Sequence, residues 1–195
     1  MYKRYFKVLI DWFIAFFAII LLFPLLLIVA ILIRIDSVGN PIFIQERLGY
    51  KGKVFKLYKF RSMSQGVNKM HNGKLFDNDP RISKVGHFIR KTSIDELPQL
   101  LNILKTEMSF IGPRPPVTYY PKNYDAYTEF EKKRFLVRPG ISGLAQIRCR
   151  EIHDWNINIP IDVEYVENFS FKNDVRLFAK SLLVFFKTTN IYRKN

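Results

Sequence analysis

Between residues 8 and 33 every position is apolar except Asp11, an unbroken run long enough to be embedded in a membrane. It exceeds a typical signal-peptide core. The sequence that follows, Arg34-Ile-Asp36-Ser37-Val-Gly39, carries no small-residue cleavage pattern, so the segment is expected to stay attached. Pro24 stands mid-run, where it removes a backbone donor and clashes with the preceding turn, and a kink or break is expected there. At about 1.5 Å per residue the two arms rise roughly 24 and 18 Å, each short of a hydrocarbon layer of about 30 Å. Lys3, Arg4 and Lys7 precede the run, and Arg34 and the basic stretch 51–61 follow it, so both ends prefer the cytoplasm. Two topologies are open: a straight span with a kink, and a re-entrant helix whose ends lie on one side.

Beyond residue 36 the pattern changes. Segments 41–48 and 53–60 have strand-like composition and flank Gly49-Tyr-Lys-Gly52, a plausible turn, which predicts a β-hairpin near the membrane. Residues 65–80 are polar, with Gly66, Asn68, Gly73, Asp77 and Asp79, and read as a loop whose acids either bind metal or are simply solvated. Helices are expected over 81–91, 94–105 and 126–135. Segment 175–187 is apolar with Arg176, Lys180 and Lys187 interspersed, a pattern that suits either the membrane interface or packing on the core. No internal repeat is evident. The expected fold is α+β, predominantly helical, with residues 1–36 as a membrane element and 37–195 as one domain.

Charge narrows the partners. A net charge of +14 and a pI near 9.9 imply something anionic: nucleic acid, an acidic membrane surface or a phosphorylated substrate. The single Cys149 excludes an internal disulfide and a multi-cysteine metal site. His71, His87 and His153 show no metal-ligand spacing.

The densest chemistry lies in Arg90-Lys-Thr-Ser-Ile-Asp95-Glu96-Leu-Pro-Gln-Leu and the following Ser109-Phe-Ile-Gly-Pro113-Arg114-Pro115. Ser93 and Glu96 have capping-box spacing, which places Asp95 in the first helical turn, at the positive end of the dipole. That position favours the ionised carboxylate and attracts anions. Two readings stay open: a helix cap with a dipole-complementing acid, or a held carboxylate acting as nucleophile. Arg90, Arg114 in Pro-Arg-Pro, and the run Arg138-Pro-Gly-Ile-Ser142-Gly-Leu-Ala-Gln146-Ile-Arg148-Cys-Arg150 each put a planar guanidinium in the same stretch of chain as proline or glycine. Forks fixed in this way suit a pyrophosphate clamp.

These strings carry a resemblance. The N-terminal helix with its central proline, Phe55-Lys-Leu-Tyr-Lys-Phe-Arg61-Ser-Met63, Ser93-Ile-Asp-Glu-Leu-Pro-Gln-Leu100, the block at 108–115 and the block at 138–146 make the chain similar, over nearly its full length, to the small monotopic phosphoglycosyl transferases of bacteria, the bacterial sugar transferase family. The resemblance implies transfer of a phospho-sugar from a UDP-sugar to polyprenyl phosphate such as undecaprenyl phosphate, with release of UMP, as the first membrane step of glycoconjugate synthesis. It implies Asp95 as the nucleophile that forms a phospho-sugar intermediate, and Glu96 as a ligand that helps hold Mg2+. Arg90, Arg114 and Arg150 match positions that contact phosphate or nucleotide. It also implies a re-entrant helix at the bacterial inner membrane with a cytoplasmic catalytic domain 37–195, acting beside membrane lipids and downstream glycosyltransferases. If Glu96 holds the cation, the Ser93 hydroxyl is left to carry the cap.

Two departures stand out. The family often has serine before the membrane proline where this chain has Phe23, so a hydroxyl able to satisfy freed backbone groups is missing. Its usual Val-Asn-Gly-Arg is here Ile147-Arg148-Cys149-Arg150, which keeps the last arginine but changes the backbone before it. A non-catalytic membrane scaffold that binds anionic lipid or other glycan enzymes is the competing reading, and it makes Asp95 and Glu96 dispensable. A nucleic-acid-binding domain fits the charge but has no recognition motif.

Overall fold

A computed structural model describes residues 2–63, 82–149 and 154–186. The expected loop 65–80, with Asp77 and Asp79, lies outside the described residues, as do His71 and His153.

The apolar run forms one helix, α1 (Lys7–Asp36), with Pro24 inside it. Its length and composition are enough to cross a membrane. Despite the near-uniform apolarity, one stripe is buried: Lys7, Asp11, Ala15, Val29 and Ile33, flanked by partly buried Ala18, Leu22 and Leu26. Steps of three and four residues keep these on one helix face. That face packs along the rest of the chain, whereas Phe17, Ile20, Leu21, Phe23 and Ile35 stand more than half exposed on the outside.

The expected hairpin is present as β1 (Ile42–Leu48) and β2 (Val54–Phe60), antiparallel in the register Ile42 to Phe60 and Leu48 to Val54. Along β2 the alternation puts Phe55 and Leu57 into the core. After α2 (Lys84–Lys91) comes a six-residue 3-10 helix, Ile94–Gln99, and then α3 (Leu100–Leu104). The carbonyl of Lys56 and the N–H of Tyr58 are both bonded by the fully buried Asn102 of α3, at 2.7 and 3.1 Å. One side chain thus covers the free edge of β2 and fixes the hairpin against the helix that follows the acid pair.

The remaining elements are β3 (Ser109–Ile111), α4 (Glu129–Lys132), β4 (Gly140–Ser142), α5 (Leu144–Arg148), α6 (Trp155–Glu167) and α7 (Phe171–Phe186). β3 and β4 pair in parallel through Ser109 to Gly140 and Ile111 to Ser142. Part of the helix expected over 126–135 is instead a short α4 continued by a 3-10 turn, Lys133–Leu136. The reason lies at its start, where Thr128 and Glu131 form a reciprocal capping box that fixes the first helical residue at Glu129, three residues later than expected. In α7, Leu177 is buried while Phe171, Val175, Leu182 and Leu183 are exposed, so the helix packs on the core and also presents an apolar outer face.

The core is built from four clusters, two of which include α1. Ala15 meets Phe55, Leu57, Leu100, Ile103 and Met108, and Val29 and Ile33 meet Phe60 and Ile89. Burying each large aliphatic here is worth about 1.5–3 kcal/mol, so α1 is a structural partner of the remainder as well as an apolar segment.

Candidate active site

Two adjacent features bring the acids into position. The backbone leaves α2 at Thr92 and turns through Ser93, which is left-handed at φ 55°, before the 3-10 helix begins. Pro98 lacks an N–H and sits in the second turn, so the segment winds as a short 3-10 helix. The expected capping box at Ser93 and Glu96 is absent, and so is a cap through the Ser93 hydroxyl. Physically, the Ser93 N–H already donates to the Arg90 carbonyl at 3.1 Å, which leaves Glu96 no backbone donor to reach back to. The Glu96 side chain turns to Lys59 instead, with Oε1 to Nζ at 2.5 Å, and lies 3.8 Å from Nη1 of Arg114.

Lys59 is the residue that sequence reading missed. It lies next on the alternating face of β2 that buries Phe55 and Leu57, and it carries that face out of the core to the acid pair. The period-two pattern inside Phe55-Lys-Leu-Tyr-Lys-Phe held this signal, because a cation on the inward face must find a partner.

The two carboxylates are half-buried and driven apart electrostatically. Burial pushes Asp95 up to about 6, against the pull of Lys59, Arg90 and Arg114 and with the added repulsion of Glu96. This corrects the dipole argument, which expected Asp95 to be held low; the helix is too short for its dipole to outweigh desolvation. Burial also acts to raise Glu96, but Lys59, Arg114 and Arg47 together bring it below the ordinary carboxylate value. Glu96 is thus the fixed anion of the pair and Asp95 the group poised near neutrality.

Arg114 projects from a rigid loop. Gly112 lets β3 and β4 touch: a Cβ there would lie 2.3 Å from the Arg138 carbonyl oxygen, and one on Gly140 would lie 2.2 Å from the Gly112 nitrogen. This contact is why Ile-Gly-Pro-Arg-Pro and Arg-Pro-Gly-Ile-Ser-Gly occur as a pair. Arg47 reaches the same loop from β1, and burial together with repulsion from Arg114 lowers its pKa to about 10.

Of the sequence-predicted residues, Asp95, Glu96, Arg90 and Arg114 come together, and both arginines act on Asp95. Arg150 lies outside the described residues. Arg138 is not directed at the acids: its Nε donates to the Thr106 carbonyl at 2.7 Å and its guanidinium faces the Tyr50 ring. Arg148 forms a fork with Glu164 at 2.6 and 2.8 Å. The clamp read from three arginine segments thus reduces, among the described residues, to Arg90 and Arg114 with Lys59.

No cluster of three or more His, Cys, Asp or Glu occurs among the described residues. Two neighbouring carboxylates do fit Mg2+, a hard cation that binds one or two carboxylates and completes its shell with water and substrate phosphate oxygens. A shallow cleft of about 390 Å3 at the C-terminal end of α1, lined by Ala30, Ile31, Arg34, Ile35 and Pro41, includes none of these groups.

The chain matches the bacterial sugar transferase family over residues 2–188. It is 43% identical over 173 residues to the UDP-N-acetylgalactosamine-undecaprenyl-phosphate N-acetylgalactosaminephosphotransferase of Aeromonas hydrophila, covering 86% of this chain and 40% of that one. It is 36% identical over 172 residues to the UDP-glucose:undecaprenyl-phosphate glucose-1-phosphate transferase of Escherichia coli, covering 86% and 37%. The exopolysaccharide production protein ExoY of Sinorhizobium fredii is 36% identical over 195 residues, covering 92% and 83%. The chain spans about two fifths of the length of the first two relatives. With a family match that runs through both the apolar helix and the acid-pair segment, the chain belongs to the bacterial sugar transferase family.

Proposed function

We propose that this protein transfers a sugar-phosphate group from a UDP-sugar to polyprenyl phosphate, releasing UMP and leaving a polyprenyl diphosphate-linked sugar for downstream glycosyltransferases. The observation that carries this reading is the adjacent acid pair, one carboxylate lifted to about 6 and the other held low, ringed by Lys59, Arg90 and Arg114. Relatives named for transfer to undecaprenyl phosphate from UDP-N-acetylgalactosamine and UDP-glucose support the substrate class.

Asp95 is the nucleophile. At neutral pH it is mostly ionised, yet it is more basic than an ordinary aspartate, which favours attack on the sugar-bearing phosphorus. The Asp95 oxygen–phosphorus bond forms as the bond to the UMP oxygen breaks, and UMP leaves. An oxygen of polyprenyl phosphate then attacks the same phosphorus and frees the carboxylate. Arg114 and Arg90 offer forks to the diphosphate oxygens, and Lys59 holds Glu96 in place. Glu96, with diphosphate oxygens and water, would hold Mg2+, which when bound neutralises charge on the transferring group.

Residues 1–36 form the membrane-embedded element and 37–195 the catalytic domain, at the cytoplasmic face of the bacterial inner membrane. Support comes from the two ends of α1. Near its start Lys7 meets Asp174 at 2.9 Å and Asp11 accepts from Ser109 at 2.6 Å. At its far end Asp36 accepts from the Val85 N–H at 3.0 Å and Arg61 donates to the Ser37 carbonyl at 2.6 Å. Both ends of a helix about 45 Å long are tied to one body, which suits a re-entrant helix bending near Pro24 better than a span. An epitope placed before Tyr2 is therefore expected to stay hidden from outside intact cells; extracellular access would overturn re-entrance.

The decisive test is UMP release from a panel of UDP-sugars with undecaprenyl phosphate and Mg2+. Incubation with sugar-labelled donor but no acceptor should leave label on Asp95. Turnover with no labelled protein would replace the covalent path with direct displacement.

A further inference from the structure

The loop that presents Arg114 has an unusual backbone. Three of its residues, Pro113, Pro115 and Pro116, have no N–H to donate, so the loop is fixed mainly through its carbonyls. All four in succession are taken. Pro113 accepts from the Gly140 N–H at 3.0 Å, Arg114 from Arg134 Nη2 at 2.8 Å, Pro115 from Arg47 Nη1 at 2.9 Å and Pro116 from the Leu48 N–H at 3.0 Å. The bond to Arg114 itself comes from a side chain in the 3-10 turn Lys133–Leu136.

That side chain is almost sealed. Arg134 is 1% exposed, sits over the rings of Phe135 and Trp155, and meets Asp162 of α6 through Nε at 3.2 Å and Nη2 at 2.6 Å. Asp162 is equally buried. A buried pair of this kind is weak evidence for stability, since the desolvation of two ions offsets their attraction. Its placement offers another reason: the nitrogen that contacts Asp162 also holds the carbonyl of Arg114.

We propose that Arg134, oriented by Asp162, is a positioning residue that sets Arg114 for binding the diphosphate of the donor. Asp162 fixes the plane of the guanidinium, the guanidinium fixes the Arg114 carbonyl, and the flanking prolines restrict the backbone on both sides, so the point and direction at which the Arg114 side chain leaves the loop are set. A lysine at 134 keeps the charge opposite Asp162 but lacks the planar fork that reaches two acceptors at set angles.

The inference rests on the proposed reaction only in taking a diphosphate donor as the ligand, and its test separates the two. UMP binding is measured by calorimetry, and UDP-sugar turnover by UMP release, for the wild type, Arg134→Lys, Arg114→Ala and the double variant. The volume-conserving pair Arg134→Met with Asp162→Leu is included as a second variant that leaves no buried ion unpaired. Arg134→Lys and the Met/Leu pair are expected to fold, to weaken UMP binding about tenfold and to raise KM more than they lower kcat. In the Arg114→Ala background neither should weaken binding further. Additive losses in that background, or unchanged UMP binding in both variants, would overturn the positioning role. Absence of UMP release by the wild type from every UDP-sugar would instead overturn the proposed reaction, and the UMP-binding cycle would still decide the role of Arg134.

Discussion

Glu96 with Lys59 and Asp162 with Arg134 are both short carboxylate–cation contacts, at 2.5 and 2.6 Å, and they are built for different ends. The first is open: the side chains are 22% and 17% exposed, a second carboxylate lies beside it, and Arg114 approaches from solvent. The second is closed, at 2% and 1%, among aromatic rings. An open pair with a mixed neighbourhood can exchange partners when a charged ligand arrives, whereas a closed pair can only hold geometry. Burial pushes Asp162 up against the pull of Arg134, and burial likewise lifts Asp95. Only the open site sets two adjacent carboxylates at different values, and that split makes it suited to chemistry.

The largest expected effect breaks the open site. Asp95→Asn should lower turnover by at least about 10³-fold, some 4 kcal/mol in transition-state terms, while the protein folds and binds UMP. Its stability should rise, because a carboxylate whose folded pKa lies above its unfolded value contributes stability below the unfolded value and loses it as pH rises through about 6. Discounted for partial solvent access, removing that charge at pH 7 is worth about 1–2 kcal/mol, read as a Tm increase of a few degrees. Activity runs the other way with pH. Wild-type kcat/KM should fall roughly tenfold per unit on acidification below about 6, since Asp95 must be ionised to attack. Full turnover by Asp95→Asn would remove it as nucleophile.

Breaking the closed site comes next. Asp162→Ala alone leaves Arg134 buried without its carboxylate, which should cost about 3–5 kcal/mol in thermal or denaturant unfolding. Lys59→Met is the matching change at the open site and should cost less, about 1–2 kcal/mol, because water and Arg114 can partly compensate Glu96. Its sharper signature is kinetic. Lys59 is the strongest cation acting on Asp95, so its loss should move the acid limb of the pH–rate profile above 6. Equal stability losses at the two sites would remove the distinction between open and closed.

Much of this was legible in the sequence, and the misses share a cause. The apolar run, the hairpin and the clustering of Asp95, Glu96, Arg90 and Arg114 follow from local pattern. The docking stripe of α1 was hidden because periodicity needs contrast, and an all-apolar helix provides almost none beyond Lys7, Asp11 and its alanines. Lys59, Arg134 and the diversion of Arg138 to Thr106 depend on partners 37, 28 and 32 residues away, which spacing does not encode. The capping box at Ser93 and Glu96 shows the reverse: a recognisable local motif does not form because the Ser93 N–H is already taken by the Arg90 carbonyl, and Glu96 turns to a cation far away in sequence.

A third ion pair sets the lower limit of the comparison. Arg148 and Glu164 form a two-bond fork with better geometry than either pair above, yet both side chains are nearly half exposed. Arg148 is also where this chain departs from the family's usual asparagine, so a role in holding α5 to α6 would be peculiar to it. Solvent screens the attraction and ordering two long side chains costs entropy, so a fork of this kind contributes about 0.2–1 kcal/mol. Arg148→Ala should therefore shift Tm by about 1–2 degrees, less at high salt, and leave the pH–rate profile in place. A loss comparable to that of Asp162→Ala would mean that fork geometry, not burial, decides what an ion pair does in this protein.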